Sequence, residues 1–238
     1  MIRNLLFDLG GVILDIKREN CIKAFEQLGV DNPSQYLGDY EQRGFFRNIE
    51  AGLITPQQFR DEVRALIDHP VTDGQIDAAF NAFLVGIPVE RLREIERLHC
   101  RYRIYMLSNT NAIMWDSFIK DEFCKDGHDM GYYFDGTVTS FEAKVCKPDV
   151  RIFRFAEQKL GIIPTETLFL DDSAANCEAA RALGFHASQV RPGTEFATLI
   201  PKDIDLRRKA TVQKRISSGS NFHFVICHSN RHTRPLAA

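Results

Sequence analysis

A chain of 238 residues with 44% hydrophobic content can bury one large core or two small ones. Its formal net charge of -2 conceals an acidic body followed by a basic C-terminal stretch, and an acidic body argues against generic nucleic-acid binding. No basic leader precedes the first apolar run and no apolar stretch approaches the roughly 18 residues of a membrane span, so a soluble, cytoplasmic protein that engages no membrane is expected. Cys21, Cys100, Cys124, Cys146, Cys177 and Cys227 are scattered without metal-ligand or redox spacing, which predicts reduced, buried thiols.

The first apolar run, Ile2 with Leu5-Leu6-Phe7, is too short and continuous for helical periodicity and is punctuated by Gly10-Gly11, so it reads as a buried strand entering a tight turn with Asp8 at its carboxyl end. From Lys17 to Val85 the pattern turns helical. Cys21, Ile22, Phe25 and Leu28 form one stripe closed by Gly29; Phe59, Val63, Leu66 and Ile67 form another after an N-cap at Thr55-Pro56; Ile76, Ala79, Phe80 and Phe83 form a third. No strand is expected within this block. Phe45 and Phe46 read as part of its core, although the turn running on to Glu50 could face a site elsewhere.

Beyond it, a helix over 89–99 leads into a strand over 102–107 that stops at Ser108-Asn109-Thr110-Asn111. A strand over 134–140 precedes Lys147-Pro148; a helix over 150–160 ends at Gly161; a strand over 167–170 ends at Asp171-Asp172; a helix over 174–183 stops at Gly184, and a last strand follows over 185–190. Strands alternating with helices predict an α/β fold, a parallel sheet flanked by helices. The stretch 201–238, with Arg207-Arg208-Lys209 and Ser217-Ser218-Gly219-Ser220, is predicted to be a disordered or loosely packed basic tail.

Four strand ends thus present polar groups to one edge of the sheet: Asp8, Ser108 with Asn109, Lys147, and Asp171 with Asp172. Carboxylates with a backbone carbonyl make an all-oxygen site for a hard divalent ion, and lysine, hydroxyl and amide donors suit phosphate oxygens. Open α/β sheets bind ligands at this edge.

This order and spacing resembles the haloacid dehalogenase-like (HAD) hydrolase superfamily, most of whose members are phosphatases. Phe7-Asp8-Leu9-Gly10-Gly11-Val12 is similar to its first motif, Leu107-Ser108-Asn109-Thr110-Asn111 to its second, Lys147-Pro148-Asp149 to its third, and Leu170-Asp171-Asp172-Ser173 with Asn176 to its fourth. The resemblance covers nearly all of residues 2–200. It implies a Rossmann-like HAD core at 1–16 and 86–200 with a small helical cap at 17–85, inserted after the first strand. It also implies Asp8 as a nucleophile that forms an aspartyl-phosphate, and magnesium (Mg2+) held by Asp8, the Gly10 carbonyl and Asp172, with Asp171 behind them or bound through water. Ser108, Asn109 and Lys147 would contact the phosphoryl group, Asn109 and Asn176 would brace the site, and a small phosphorylated metabolite would be the substrate.

One position departs from the pattern. The superfamily's phosphatases usually carry a second aspartate two residues after the nucleophile as general acid, and here that residue is Gly10. Asp15 is the candidate substitute, with helix capping as its plainer role. A lost acid favours substrates whose leaving group departs unprotonated, hence an expected preference for sugar 1-phosphates. The rival readings are a phosphomutase, a 2-haloacid dehalogenase, and a silent binding or regulatory relative.

Overall fold

The computed structural model describes residues 1–38 and 41–201. The basic stretch 202–238, with Cys227 and the expectation of a loose tail, lies outside the described residues.

The chain begins with β1 (Asn4–Phe7) and β2 (Asp15–Ile16), followed by α1 (Arg18–Gln27), α2 (Gly44–Glu50), α3 (Pro56–Arg64), α4 (Asp73–Asn81) and β3 (Leu84–Gly86). Then come α5 (Val89–His99) and β4 (Arg103–Ser108). The helical turns α6 (Ala112–Met114), α7 (Lys120–Phe123) and α8 (Met130–Tyr133) follow, with a wide π-type turn over Trp115–Ile119. The remainder is β5 (Gly136–Thr139), α9 (Ser140–Ala143), α10 (Val150–Leu160), β6 (Thr167–Asp171), α11 (Ala174–Ala182) and β7 (His186–Gln189).

The main sheet has the order β5-β4-β1-β6-β7, and all its pairings are parallel. β1 is its central strand. Phe7 pairs with Met106 on one side and Leu170 on the other, and all four residues of β1 are buried, as a strand covered on both faces requires. Alternation divides the core: Leu5 and Phe7 pack on one face, whereas Leu6 joins Leu107, Phe153 and Phe169 on the other. The chain leaves β1 toward β4 and β5 and returns on its far side to β6, so the direction of winding reverses between β1 and β6. The crevice outside the carboxyl ends of those two strands is where such a sheet binds ligands.

The helices of the 17–85 block form for local reasons legible in the sequence. Thr55 with Gln58 and Thr72 with Gln75 make reciprocal capping boxes at the starts of α3 and α4. Their inner faces meet in an aromatic cluster of Phe25, Phe46, Phe59 and Phe80, with the last two rings stacked at 4.7 Å. This cluster is continuous with the core on the Leu5 and Phe7 face of the sheet.

The structure also departs from expectation. A strand does enter the helical block: β3 pairs antiparallel with β2, so the two passages between sheet and helices are tied into a ribbon. Three residues are too few for an alternation to show. The α2 helix and the turns of 112–133 were not legible either. Cys21, Cys146 and Cys177 are buried, but Cys100, at the end of α5, is exposed and Cys124 is partly covered. Among the described residues no helix is long and apolar enough to cross a membrane.

Candidate active site

Asp8 extends β1 by one rung, its amide donating to the Leu170 carbonyl at 2.8 Å, so its carboxylate emerges at the switch point beside the end of β6. Its Oδ1 accepts from the Leu9 amide at 2.7 Å and lies 2.8 Å from Lys147 Nζ, whereas no donor among the described residues reaches Oδ2. The following turn needs its second glycine. Gly11 has φ of +73°, and a Cβ there would sit 2.3 Å from Asp172 Oδ2. Gly10 is different: a Cβ would meet only Ile16 methyl groups at 3.5 and 3.6 Å, so its lack of a side chain is not dictated by space.

Lys147 is 1% exposed, and its ammonium has three acceptors: Asp8, Asp171 Oδ2 at 2.7 Å and the Leu107 carbonyl at 2.9 Å. Burial alone would lower its pKa, but the carboxylates of Asp171 and Asp8 outweigh burial and hold it above its ordinary value. Asp171, fully buried, is saturated: Oδ1 accepts from Ser173 N at 2.8 Å and Asn176 Nδ2 at 2.9 Å, and Oδ2 takes the lysine. Asn109 clamps the lysine's backbone, donating to its carbonyl at 3.0 Å and accepting from its amide at 2.8 Å. Asn109 and Asn176 are therefore braces by geometry. Helix capping falls instead to Asn111 and Ser173.

Asp8, Asp171 and Asp172 offer oxygens that all lie within 4.8 Å of one another. Burial, with Asp171 and Asp172 adding to it, pushes Asp8 well up against the opposing pull of Lys147; burial and Asp171 raise Asp172 to about 6. Three clustered carboxylates against one lysine leave an excess of negative charge. This donor set, with the space that Gly11 keeps open beside Asp172, fits a hard divalent cation such as magnesium. Because Asp171 has both oxygens engaged, Asp8 and Asp172 are the carboxylates left to hold one.

A cavity of about 50 Å³ adjoins this centre. Leu9, Gly10, Ser108, Asn109 and Thr110 line it from the sheet edge, and Gln42, Glu50 and Phe80 from the helical block. In the sequence Glu50 is only part of a turn that could face the site, and Gln42 and the Thr110 side chain carry no signal at all. Burial raises the Glu50 carboxyl to about 8, against the lowering pull of Arg47. Asp15 must be corrected as the substitute acid. Its neighbours Leu14 and Ile16 line the cavity, but its own carboxylate pairs with Arg91 at 2.7 Å and is not among the lining groups. Trp115 likewise packs, edge-on to Phe141 at 6.3 Å, rather than lining the cavity.

A buried aspartate, a lysine and an acidic pair at the switch point of a parallel sheet define an α/β enzyme of the hydrolase class. The chain belongs to the haloacid dehalogenase-like hydrolase family, whose sequence model matches residues 2–184. It is 33% identical over 196 residues to a D-ribitol-5-phosphate phosphatase of Bacteroides thetaiotaomicron, covering 82% of this chain and 95% of that one. The fold matches the crystal structure of a HAD family enzyme from the same organism in complex with magnesium and inorganic phosphate, with a TM-score of 0.79 and 40% identity. That match covers 84% of this chain and 100% of the other. A (S)-2-haloacid dehalogenase of Pseudomonas is more distant, 26% identical over 208 residues, 82% of this chain and 85% of that one.

Proposed function

We propose that this protein is a magnesium-dependent phosphomonoester hydrolase that carries the phosphoryl group on Asp8. The observation that supports the reading best is the Asp8 carboxylate itself, with one oxygen fixed by Leu9 and Lys147 and the other without a donor among the described residues, inside a cluster of carboxylates. Asp8 attacks phosphorus, the bond to the ester oxygen breaks with its electron pair going to that oxygen, and the departing alkoxide takes its proton from solvent water. Water then attacks the phosphorus of the aspartyl-phosphate, releasing inorganic phosphate and restoring the carboxylate. Asp8, the Gly10 carbonyl and Asp172 would hold the ion, whose charge offsets that of the phosphoryl oxygens when it is bound. Lys147 orients Asp8 and adds positive charge beneath the transferring group, and Ser108 offers a hydroxyl at the cavity wall. Asn109, Asn176 and Asp171 keep the lysine in place.

The relatives support a phosphorylated sugar or polyol as the substrate class, and the helical block at 17–85 acts as the cap that helps select it. A 5-phosphate of ribitol is an ordinary primary-alcohol ester, so the preference for sugar 1-phosphates expected from Gly10 is not carried over. A dehalogenase reading leaves Asp172 without a task, since displacement at carbon needs no metal, whereas Asp171 braces the lysine in either case. Turnover of p-nitrophenyl phosphate with added magnesium tests the proposal. Activity that chelator abolishes and magnesium restores supports it; full activity in excess chelator contradicts it.

A further inference from the structure

Gln42 and Thr110, which line the cavity, each carry a buried side-chain oxygen without a hydrogen-bond partner, Oε1 and Oγ1 respectively. Among the described residues the Glu50 side chain makes no hydrogen bond, and Glu50 is the one charged residue among them lining the same cavity. Buried polar atoms are normally paired, so such groups gathered around one space call for an occupant that supplies partners. The rest of the lining is largely apolar, with Leu9, Leu14 and Phe80 among it.

The site is also built. Ser140 is fully buried and its hydroxyl binds both walls: it accepts from the Thr110 amide at 3.0 Å and faces the carbonyls of Thr110 at 2.9 Å and Glu50 at 2.6 Å. The next turn of the helical block is pressed onto the same segment, since Lys144 donates to the Gly52 carbonyl at 2.7 Å and a Cβ at Gly52 would lie 2.2 Å from the Phe141 carbonyl oxygen. Thr110 and Glu50, both lining the cavity, are thus held in register by contacts to their backbones that do not engage their side chains.

Building on the phosphatase reading, we propose that Gln42, Glu50 and Thr110 form a subsite that recognises the hydroxyl groups of a polyhydroxylated leaving alcohol. A sugar or polyol carries both donors and acceptors at each carbon. Thr110 can do both, Gln42 accepts through Oε1, and Glu50, whose carboxyl is raised to about 8, both donates and accepts at neutral pH. About 50 Å³ holds one or two waters or a hydroxyl-bearing end of a substrate, and ligand hydroxyls replace such waters on the same partners.

The test compares D-ribitol 5-phosphate with pentyl phosphate, an ester of the same carbon length without hydroxyls. In Gln42→Leu, Thr110→Val and Glu50→Leu the ratio of kcat/KM for the two esters falls by about 10- to 100-fold, chiefly through KM, the size expected for a lost buried hydrogen bond. Thr110→Ser and Glu50→Gln retain most of the ratio. A purely structural role would lower both esters together, so an unchanged ratio in these variants overturns the subsite. Calorimetric binding of the two esters to the Asp8→Asn protein reads the same preference without turnover. A wild type that hydrolyses neither ester yet binds ribitol 5-phosphate the more tightly contradicts the phosphatase reading alone; equal binding overturns the subsite.

Discussion

Asp171 and Lys147 are joined at 2.7 Å at the floor of the site, both almost wholly removed from solvent. The pair separates two acids that adjoin in sequence. Asp171 spends its oxygens on the lysine, Ser173 and Asn176, while Asp172 remains half-buried beside the turn at Gly11. Asp171→Ala should therefore destabilise the fold by about 3 kcal/mol, toward the lower end for a broken buried pair because Asp8 still faces the lysine. Asp172→Asn should instead leave the melting temperature of the metal-free protein unchanged or higher, because a like charge has left the cluster, while the magnesium concentration for half-maximal activity rises at least tenfold. Thermal melts and magnesium titrations of the two variants check this. The reverse pattern would exchange their roles.

The two glycines of the first motif should respond oppositely to substitution. At Gly11 an added Cβ meets the Asp172 carboxylate in a backbone conformation that side chains rarely adopt, so Gly11→Ala should lower both stability and magnesium affinity. Gly10→Asp has ordinary contacts for its Cβ and should fold. A carboxyl there could protonate the departing oxygen, a contribution typically worth about 10²- to 10⁴-fold, so it should help esters of alkyl alcohols more than p-nitrophenyl phosphate. Rates on both esters for the variant measure this, and an equal change on the two would show that leaving-group protonation is not what Gly10 lacks.

How much of this was legible in the sequence follows from where each signal lives. Helices such as α5 and α10 carry enough turns for an apolar stripe, and the glycine after α10 marks its end. Asp8, Ser108 and Asp171 were legible because each ends a strand-like run, and a parallel sheet brings such ends to one edge; Lys147, which lies beyond β5 and α9, was legible by its motif. The division of labour between Asp171 and Asp172 was only partly so, since it depends on which carboxylate the buried lysine reaches. Gln42, Glu50 and Thr110 join only when α2 and the segment before it fold over the sheet edge at the end of β4, and the Ser140 hydroxyl that ties two of them together is an isolated polar residue to any local reading.

Glu50 gives the structure a pH signature. Its folded-state pKa, about 8, lies above its ordinary value of 4.5, so the folded protein holds this proton more tightly than the unfolded chain. The associated stability is fully present below about pH 4.5 and is lost as the pH rises through 8. The charged groups acting on it are Arg47 and Glu41, and the Cys146 thiol faces it from the sheet side. Glu50→Gln lacks the titration, so its melting temperature relative to wild type should climb between pH 5 and 8.5. A constant difference across that range would mean that the Glu50 carboxyl is not desolvated by the fold.

Whether the Asp8 carboxylate carries the phosphoryl group is read out by the turnover number of the Asp8→Asn protein. An amide is a poor nucleophile toward phosphorus and brings no charge to the cation, so a variant with a native-like melting profile should lose turnover of p-nitrophenyl phosphate by about three orders of magnitude or more at saturating magnesium. A folded Asp8→Asn protein that retains turnover within tenfold of wild type would contradict the account.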